Sequence, residues 1–231
     1  GNQEFSIRGL ISCFTFNGSY WFVLAYTCLY IISPILNIFL EYTDKRTCLA
    51  VIIFFFIFQT LYSFMTGGAT FLRRGYSTLS FVGLYILINY IKKYVDFKKL
   101  RAGLYYIILT VLGSIIVLLA KYFECGFITS RFFDYSNPIV IASSILLLLF
   151  FSKLKFQNSI VNYIARSCFA VYLLHCNSFL WDIYLESIQC IVVNHTLSEY
   201  LLLFPILLMW FIAAVVIDQL RLLLWSFTIK K

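Results

Sequence analysis

The sequence predicts an all-α protein: a polytopic bundle of about seven transmembrane helices. Hydrophobic residues make up 62% of the chain and charged residues only 12%, whereas soluble domains carry about 25% charged residues. The apolar residues form long blocks, and the basic residues lie between those blocks, where residues that set membrane topology belong. We therefore expect residues 1–231 to form one multi-pass domain in the cytoplasmic (inner) membrane.

Seven apolar blocks are predicted to be membrane spans, because a helix needs about 20 residues to cross the hydrocarbon core. These blocks are Tyr20–Leu40, Cys48–Phe64, Thr78–Ile91, Leu104–Ala120, Pro138–Phe151, Cys168–Trp181 and Tyr200–Ile217. Tyr20 and Trp21 form an aromatic anchor at the start of the first block. The third and fifth blocks are short, and the third is either a span or a re-entrant segment. The segment Asn158–Ser167 is amphipathic and is expected to lie in the membrane interface.

The basic residues predict the orientation of the chain. Of the 18 Lys and Arg residues, seven spans place thirteen on one side and five on the other. The positive-inside rule then puts Lys92–Arg101 and the C-terminus in the cytoplasm, and Arg73, Arg74 and the N-terminus outside. An outer N-terminus without a signal peptide, in a sequence that starts at Gly1, leads us to expect that an odd number of spans is missing upstream.

His175 lies inside the sixth block, in the stretch FAVYLLHCN, Phe169–Asn177. Ionisable residues within spans usually face the bundle interior or a water-filled cavity. On a continuous helix, His175 shares a face with Tyr172, and this face also includes Cys168 and Phe179. One interpretation is a site residue that accepts a proton or hydrogen-bonds the substrate. The other is a neutral histidine that is bonded to a neighbouring helix.

Basic residues outside the spans have two interpretations. The stretch YIKKYVDFKKLR, Tyr90–Arg101, could attract a polyanionic cytosolic donor, but contact with anionic headgroups is the simpler interpretation. Arg73 and Arg74, on the side that should be poor in positive charge, could bind a phosphate or carboxylate of a lipid-linked substrate. The alternative is that they are anchors that reach the headgroups. Asp218 and Arg221 are expected to form an ion pair within one helix.

Several classes of function are not indicated. No Gly-rich phosphate loop or nucleic-acid motif accompanies the net charge of +8, so nucleic acid is not an expected partner. No CxxC pair or Cys/His cluster has metal-ligand spacing, and we expect neither a metal nor a bound cofactor. His195, in the loop after the sixth block, is expected to be solvated.

Four stretches carry more specific patterns, and they follow one another along most of the chain. They are YWFVLAYTCLYIISPILNIFL (Tyr20–Leu40), GYSTLSFVGLYILINYIKK (Gly75–Lys93), YSNPIVIASSILLLLFF (Tyr135–Phe151) and IARSCFAVYLLH (Ile164–His175). The first opens on an aromatic pair and contains Ser-Pro and Leu-Asn, and the last ends in Tyr-Leu-x-His. In this order, the four stretches resemble the bacterial membrane acyltransferases of the acyltransferase 3 family.

The resemblance implies O-acylation of an exopolysaccharide, capsule or lipopolysaccharide unit, commonly by acetyl transfer. It also implies acyl-CoA as a cytoplasmic donor and a glycan or lipid-linked sugar as a membrane-associated acceptor. The family's principal catalytic histidine lies in its first helix, whereas this sequence has no histidine before His175. We therefore expect His175 and Tyr172 to support the reaction, Arg73 and Arg74 to bind substrate, and the chain alone to be inactive. A transporter or polysaccharide-export subunit, or an inactive fragment, is the alternative.

Overall fold

The structure, a computed structural model, describes residues 20–67, 71–155, 157–193 and 196–229. The described residues are mainly helical and contain no strand. Their contacts divide the chain into a large unit, Trp21–Lys155, and a small unit, Gly1–Tyr20 with Phe156–Lys231. The single domain expected for residues 1–231 stays a prediction. His195 lies outside the described residues.

The helices follow the predicted apolar blocks. The large unit contains α1 (Trp21–Tyr42), α2 (Lys45–Thr66), a 3-10 turn (Arg73–Gly75), α3 (Thr78–Tyr94), α4 (Ala102–Tyr122), α5 (Gly126–Thr129) and α6 (Pro138–Ser152). The small unit contains α7 (Ser159–Ala165), α8 (Cys168–His175), α9 (Ser178–Gln189) and α10 (Leu197–Ile229). Local signals set some boundaries: the Asp44 carboxylate caps α2, and Asn137 caps α6 immediately before Pro138.

Among the described residues, four helices, α1, α2, α4 and α10, are each long and apolar enough to cross a membrane, so this is a multi-pass membrane protein. The α3 and α6 helices have 17 and 15 residues, fewer than the roughly 20 that a full crossing needs. The expected number of seven spans is therefore not confirmed. The sixth block is not the continuous helix that the shared face assumed. Its helix ends at His175, the next begins at Ser178, and the two parts are bent by 89°. The side chain of Phe179 lies outside the described residues, so its place on the predicted face stays a prediction.

The large unit is built on two helix packings. The α3 helix packs against both α1 and α2, around an apolar core of Leu29, Leu36, Cys48, Ile52, Ile86 and Tyr90. The α4 and α6 helices pack antiparallel, because Gly103 near the start of α4 faces Phe150 near the end of α6. Gly113, further along α4, faces Ile139 at the start of α6. The helix ends therefore meet at two opposite ends of the unit.

One of these ends collects basic side chains. The Lys93 Nζ donates to the carbonyl oxygen of Leu40 at 3.0 Å, and the Lys153 Nζ donates to the carbonyl oxygens of Lys98 and Leu100. The basic end carries Lys45, Arg46, Lys92, Lys93, Lys98, Lys99, Arg101, Lys153 and Lys155. Arg73 and Arg74 lie at the opposite end of α3, which agrees with the predicted separation. The side of the membrane that each end faces stays a prediction.

Candidate functional sites

His175 is the last residue of α8, and its ring is held in one orientation. The Nδ1 lies 2.8 Å from the carbonyl oxygen of Val171, one turn earlier. A carbonyl oxygen only accepts, so Nδ1 carries the proton, and Nε2 keeps the lone pair in the neutral ring. The ring also contacts Tyr184 edge-on, at 5.1 Å and 77°. This hydrogen bond lies within the histidine's own helix, whereas the sequence suggested a bond to a neighbouring helix.

A small cavity of about 30 Å³ adjoins His175. The remaining lining is apolar and aromatic and comes from α8, α9 and α10: Leu174, Leu180, Tyr184, Trp210, Ile217 and the small pair Ala213–Ala214. Trp210 is fixed by a hydrogen bond of 3.0 Å from its Nε1 to the Ser187 Oγ. One water needs about 10–15 Å³, so this space accepts a group of only two or three heavy atoms.

Tyr172 does not line this cavity. Its ring stacks on Phe169, with the centroids 6.3 Å apart, and its hydroxyl lies beside the Cys176 thiol. Of the two residues that the sequence placed on one face, only His175 lines this cavity. A supporting role for Tyr172 stays a prediction.

The start of α8 is anchored to α10 by buried polar groups. The Gln219 Nε2 donates to the Ser167 Oγ at 2.7 Å, and the Asp218 carboxylate accepts from the Arg221 Nε at 2.8 Å. Ser167 also hydrogen-bonds Asp218, and the two residues are 0% and 2% exposed. The predicted Asp218–Arg221 pair is confirmed. It also fixes Ser167, the residue that precedes the histidine helix.

Arg73 and Arg74 lie in the turn before α3. Both have left-handed backbone conformations, with φ of 44° and 55°, and each such conformation costs about 1–3 kcal/mol in a residue other than glycine. The Arg74 Nε donates to the carbonyl oxygen of Gly67 at 2.9 Å, and its Nη1 lies 3.9 Å from Asp134 Oδ1. Arg73 is exposed, and no described residue hydrogen-bonds its guanidinium. The two arginines therefore do not form a joint clamp.

A second cavity, of about 270 Å³, lies at this same end of the large unit. We call it the arginine–aspartate pocket. Its polar lining comes from α2 and from the segment that leads into α6: Thr60, Ser63, Arg131, Asp134, Ser136 and Asn137. The Ser136 Oγ and Ser63 Oγ are hydrogen-bonded at 2.7 Å, and the Thr60 hydroxyl donates to the Ser136 carbonyl oxygen at 3.0 Å. These bonds tie the two walls of the pocket together.

The two charged residues of the pocket are held in place by their surroundings. The Arg131 Nη1 donates to the carbonyl oxygen of Phe64, and its guanidinium lies 4.3 Å from the centre of the Phe127 ring. Burial raises the pKa of the Asp134 carboxyl, and the guanidinium groups of Arg74 and Arg131 oppose that rise. The pocket therefore presents a fixed donor and a partly desolvated acceptor side by side.

Sequence reasoning missed this pocket. It counted Arg131 only among the topological charges and did not single out Asp134. The available signal is the stretch RFFDYSNP, Arg131–Pro138, in which four polar residues precede the first turn of a span. Its counterpart on α2, the polar residues of QTLYS (Gln59–Ser63), interrupts an apolar helix.

The sequence matches the family profile of an acyltransferase domain over residues 3–219. No significant match is found among curated proteins or among solved structures. The family match covers almost the whole chain, including both cavities and all of the membrane-spanning helices except the end of α10. The chain therefore belongs to the acyltransferase 3 family of membrane proteins.

Proposed function

We propose that this protein takes part in O-acylation of a cell-surface glycan or lipid-linked sugar, with an acyl-CoA as the donor. One observation carries the proposal: in a chain of this family, His175 lines a small apolar cavity, and its ring is oriented by the hydrogen bond between Nδ1 and the Val171 carbonyl oxygen. In acyl transfer, a sugar hydroxyl oxygen attacks the thioester carbonyl carbon. The hydroxyl loses its proton, the carbon–sulfur bond breaks, and CoA leaves as the thiol.

His175 has a positioning role in this proposal. Because Nδ1 is engaged by Val171, only Nε2 is available, and in the neutral ring it is an acceptor. An acceptor suits the sugar hydroxyl, whereas the acyl carbonyl oxygen needs a donor. The geometry therefore favours a hydrogen bond from the acceptor sugar to Nε2.

The cavity volume favours a short acyl group. A space of about 30 Å³ accepts the methyl group of an acetyl but not a chain several carbons longer. The apolar lining by Trp210, Ala214 and Ile217 suits that methyl group. Acetyl-CoA is accordingly the proposed donor.

The basic end of the large unit supports a CoA donor on the cytoplasmic side of the inner membrane. Its nine Lys and Arg residues form a positive surface that raises the local concentration of a polyanion. CoA carries three phosphate groups, so its association should weaken as salt screens the charges. Anionic headgroups share this chemistry and would compete for the same surface.

Membranes of cells that produce the protein provide the test. Supplied with labelled acetyl-CoA, they should incorporate alkali-labile label into the surface glycan above the level of membranes without the protein. Equal labelling of the two preparations, in the presence of the intact protein, would rule out the proposed transfer. A transporter or export subunit would instead change the amount of surface glycan and leave its ester content unchanged.

The isolated chain is expected to behave differently. His175 is assigned a supporting role, so another residue must accept the proton from the sugar hydroxyl. The described residues contain no second histidine that could do so. Purified in detergent and supplied with acetyl-CoA and glycan, the chain should give no transfer above background. Robust turnover would show that its own residues suffice, and His175 would then be the proton acceptor.

A further inference from the structure

We propose that the arginine–aspartate pocket binds a single uncharged sugar unit. This inference rests on the proposed function in one respect only, namely that the bound sugar is part of the acyl acceptor. The pocket itself is argued from its polar lining residues, its volume, a buried unpaired acceptor one turn from that lining, and an aromatic side chain that follows Asp134 in the sequence.

The charge pattern of the pocket favours a neutral polyhydroxyl ligand. A phosphate or carboxylate would be attracted by the Arg131 guanidinium but repelled by the Asp134 carboxylate. A cation would be attracted by the carboxylate but repelled by the guanidinium. Sugar hydroxyls both donate and accept, so one ring satisfies the two charged groups together. The Ser63 and Thr60 hydroxyls add further polar sites on the α2 wall.

A buried acceptor lies next to the pocket. Gln59 is 1% exposed and lies one turn from Ser63 on the buried face of α2. Its Oε1 has no hydrogen-bond partner among the described residues. Leaving such an acceptor unpaired is unfavourable. A ligand hydroxyl that displaces the hydrogen bond between Ser63 and Ser136 would reach this acceptor and relieve that cost.

The aromatic surface comes from Tyr135, between Asp134 and Ser136. Tyr135 is half exposed, and its ring packs against Tyr76 at 4.5 Å, which in turn contacts Trp21 at 4.6 Å. The ring is therefore held by its aromatic neighbours. Because Tyr135 does not line the pocket, its ring would pack against the part of a glycan that extends out of the pocket.

The pocket volume limits the ligand to one unit. At about 270 Å³, it lies just below the roughly 300–1,000 Å³ of sites that take drug-sized ligands. A monosaccharide fits this volume and a disaccharide does not. The rest of a glycan would have to extend out of the pocket.

Saturation-transfer NMR on the full chain in detergent tests the proposal, with free glucose, galactose, rhamnose and N-acetylglucosamine as probes. We expect at least one of the four to bind. Asp134→Asn should weaken that binding at least tenfold, since a hydrogen bond to a charged acceptor is lost. Arg131→Lys keeps the positive charge but removes the planar guanidinium with its several N–H donors, so it should weaken sugar binding as well. The matched control is Asp96→Asn, which removes a carboxylate from the basic end and should leave binding unchanged.

Three results would overturn the pocket assignment. They are no saturation transfer from any of the four sugars, binding that both pocket variants leave unchanged at an unchanged melting temperature, and displacement of the sugar by inorganic phosphate at similar concentration. The last result would identify an anion site.

The outcomes also separate this proposal from the proposed function. If a sugar binds through Asp134 but membranes give no acyl transfer, the function fails and the pocket stands. If transfer occurs and Asp134→Asn leaves the KM for the glycan unchanged, the pocket fails and the function stands.

Discussion

The two cavities of this protein differ in size, polarity and in the number of charged groups. The cavity at His175 has a volume of about 30 Å³ and an apolar wall, in which the histidine ring is oriented by its hydrogen bond to Val171. The arginine–aspartate pocket has a volume of about 270 Å³ and presents a guanidinium, a carboxylate and several hydroxyls. The first suits a small reacting group, and the second suits recognition of a polar ring. The comparison shows that the surroundings of a polar or charged side chain, and not the number of such side chains in the sequence, determine its proposed role.

The largest expected effect concerns the side of the membrane that the pocket faces, and it is all or none. In a chain whose native cysteines are replaced, Arg73→Cys should react with a membrane-impermeant maleimide added outside, because Arg73 is exposed at the pocket end. Lys98→Cys, at the basic end, should react only after permeabilisation. Reaction of the two positions from one side would show that α3 does not separate two aqueous compartments.

The next effect concerns the turn before α3, which packs against Tyr135 and the backbone of the pocket residue Ser136. Gly75 has a φ of 95°, and an added Cβ would lie 2.6 Å from the Tyr135 Cβ and 2.8 Å from the Tyr135 carbonyl carbon. Gly75→Ala should therefore cost roughly 2–5 kcal/mol of unfolding free energy and abolish sugar binding. Gly126→Ala is the control, since nothing lies within 4 Å of its added Cβ. Similar melting curves for the two variants would contradict the close packing of the turn on Tyr135.

A smaller effect should appear in the cavity at His175, as a change in acyl selectivity. Trp210→Ala enlarges the space, so the preference for acetyl-CoA over butyryl-CoA should fall by about tenfold, since each methylene in a pocket is worth at least that factor. Trp181→Ala is the control, because Trp181 contacts Tyr184 at 6.0 Å without lining the cavity. The measurement is the ratio of kcat/KM for acetyl-CoA and butyryl-CoA in membranes that contain each variant. An unchanged ratio would mean that the acyl group binds elsewhere.

His175 itself should have a modest effect on rate. His175→Gln keeps a donor and an acceptor but cannot take a proton at neutral pH. Loss of one supporting hydrogen bond lowers the rate by roughly two- to twelvefold, whereas loss of a general base lowers it by about 10²–10⁴-fold. We expect the smaller change, measured as acetyl transfer in membranes. A thousandfold loss with unchanged expression and melting would make His175 a direct proton acceptor.

The smallest effect is a pair of opposite pH dependences of stability. Burial raises the pKa of Asp134 above its ordinary 3.8, so its contribution to stability falls as pH rises from 3.8 through the raised value. Hydrogen bonds from Thr47 lower the pKa of Asp44, so its contribution is present above 3.8 and is lost as pH falls. Melting temperatures of Asp134→Asn and Asp44→Asn across the acidic range should deviate from the parent in opposite senses. Parallel deviations would contradict this assignment.

The helices could be predicted because their signals are local. The length of an apolar block and the positions of flanking lysines are properties of adjacent residues. Six of the seven predicted blocks form one helix each, and the sixth is divided between two helices. The break after His175 was not predicted, because the apolar run through Cys176 contains neither glycine nor proline. The break is seen only in the structure, where α8 and α9 are separate helices.

The sites were less accessible to sequence reasoning. His175 was found because an ionisable residue in an apolar run is rare, but its bond to Val171 depends on the ring rotamer. The pocket depends on contact between Ser63 and Ser136, which are 73 residues apart. No local pattern specifies that contact. Arg131 and Asp134 therefore looked like ordinary loop charges until the two segments were seen together.

The polar residues near the end of α2 also shorten the apolar part of this helix. Gln59 lies seven residues from the end of α2 at Thr66, which corresponds to about 10 Å along the helix axis. Only about 21 Å then separates Gln59 from Lys45 at the basic end, whereas the hydrocarbon core is about 30 Å thick. A group delivered at one end and received at the other would cross a distance equal to roughly two thirds of the hydrocarbon core, and the rest of the path would be lined by hydrogen-bonding side chains.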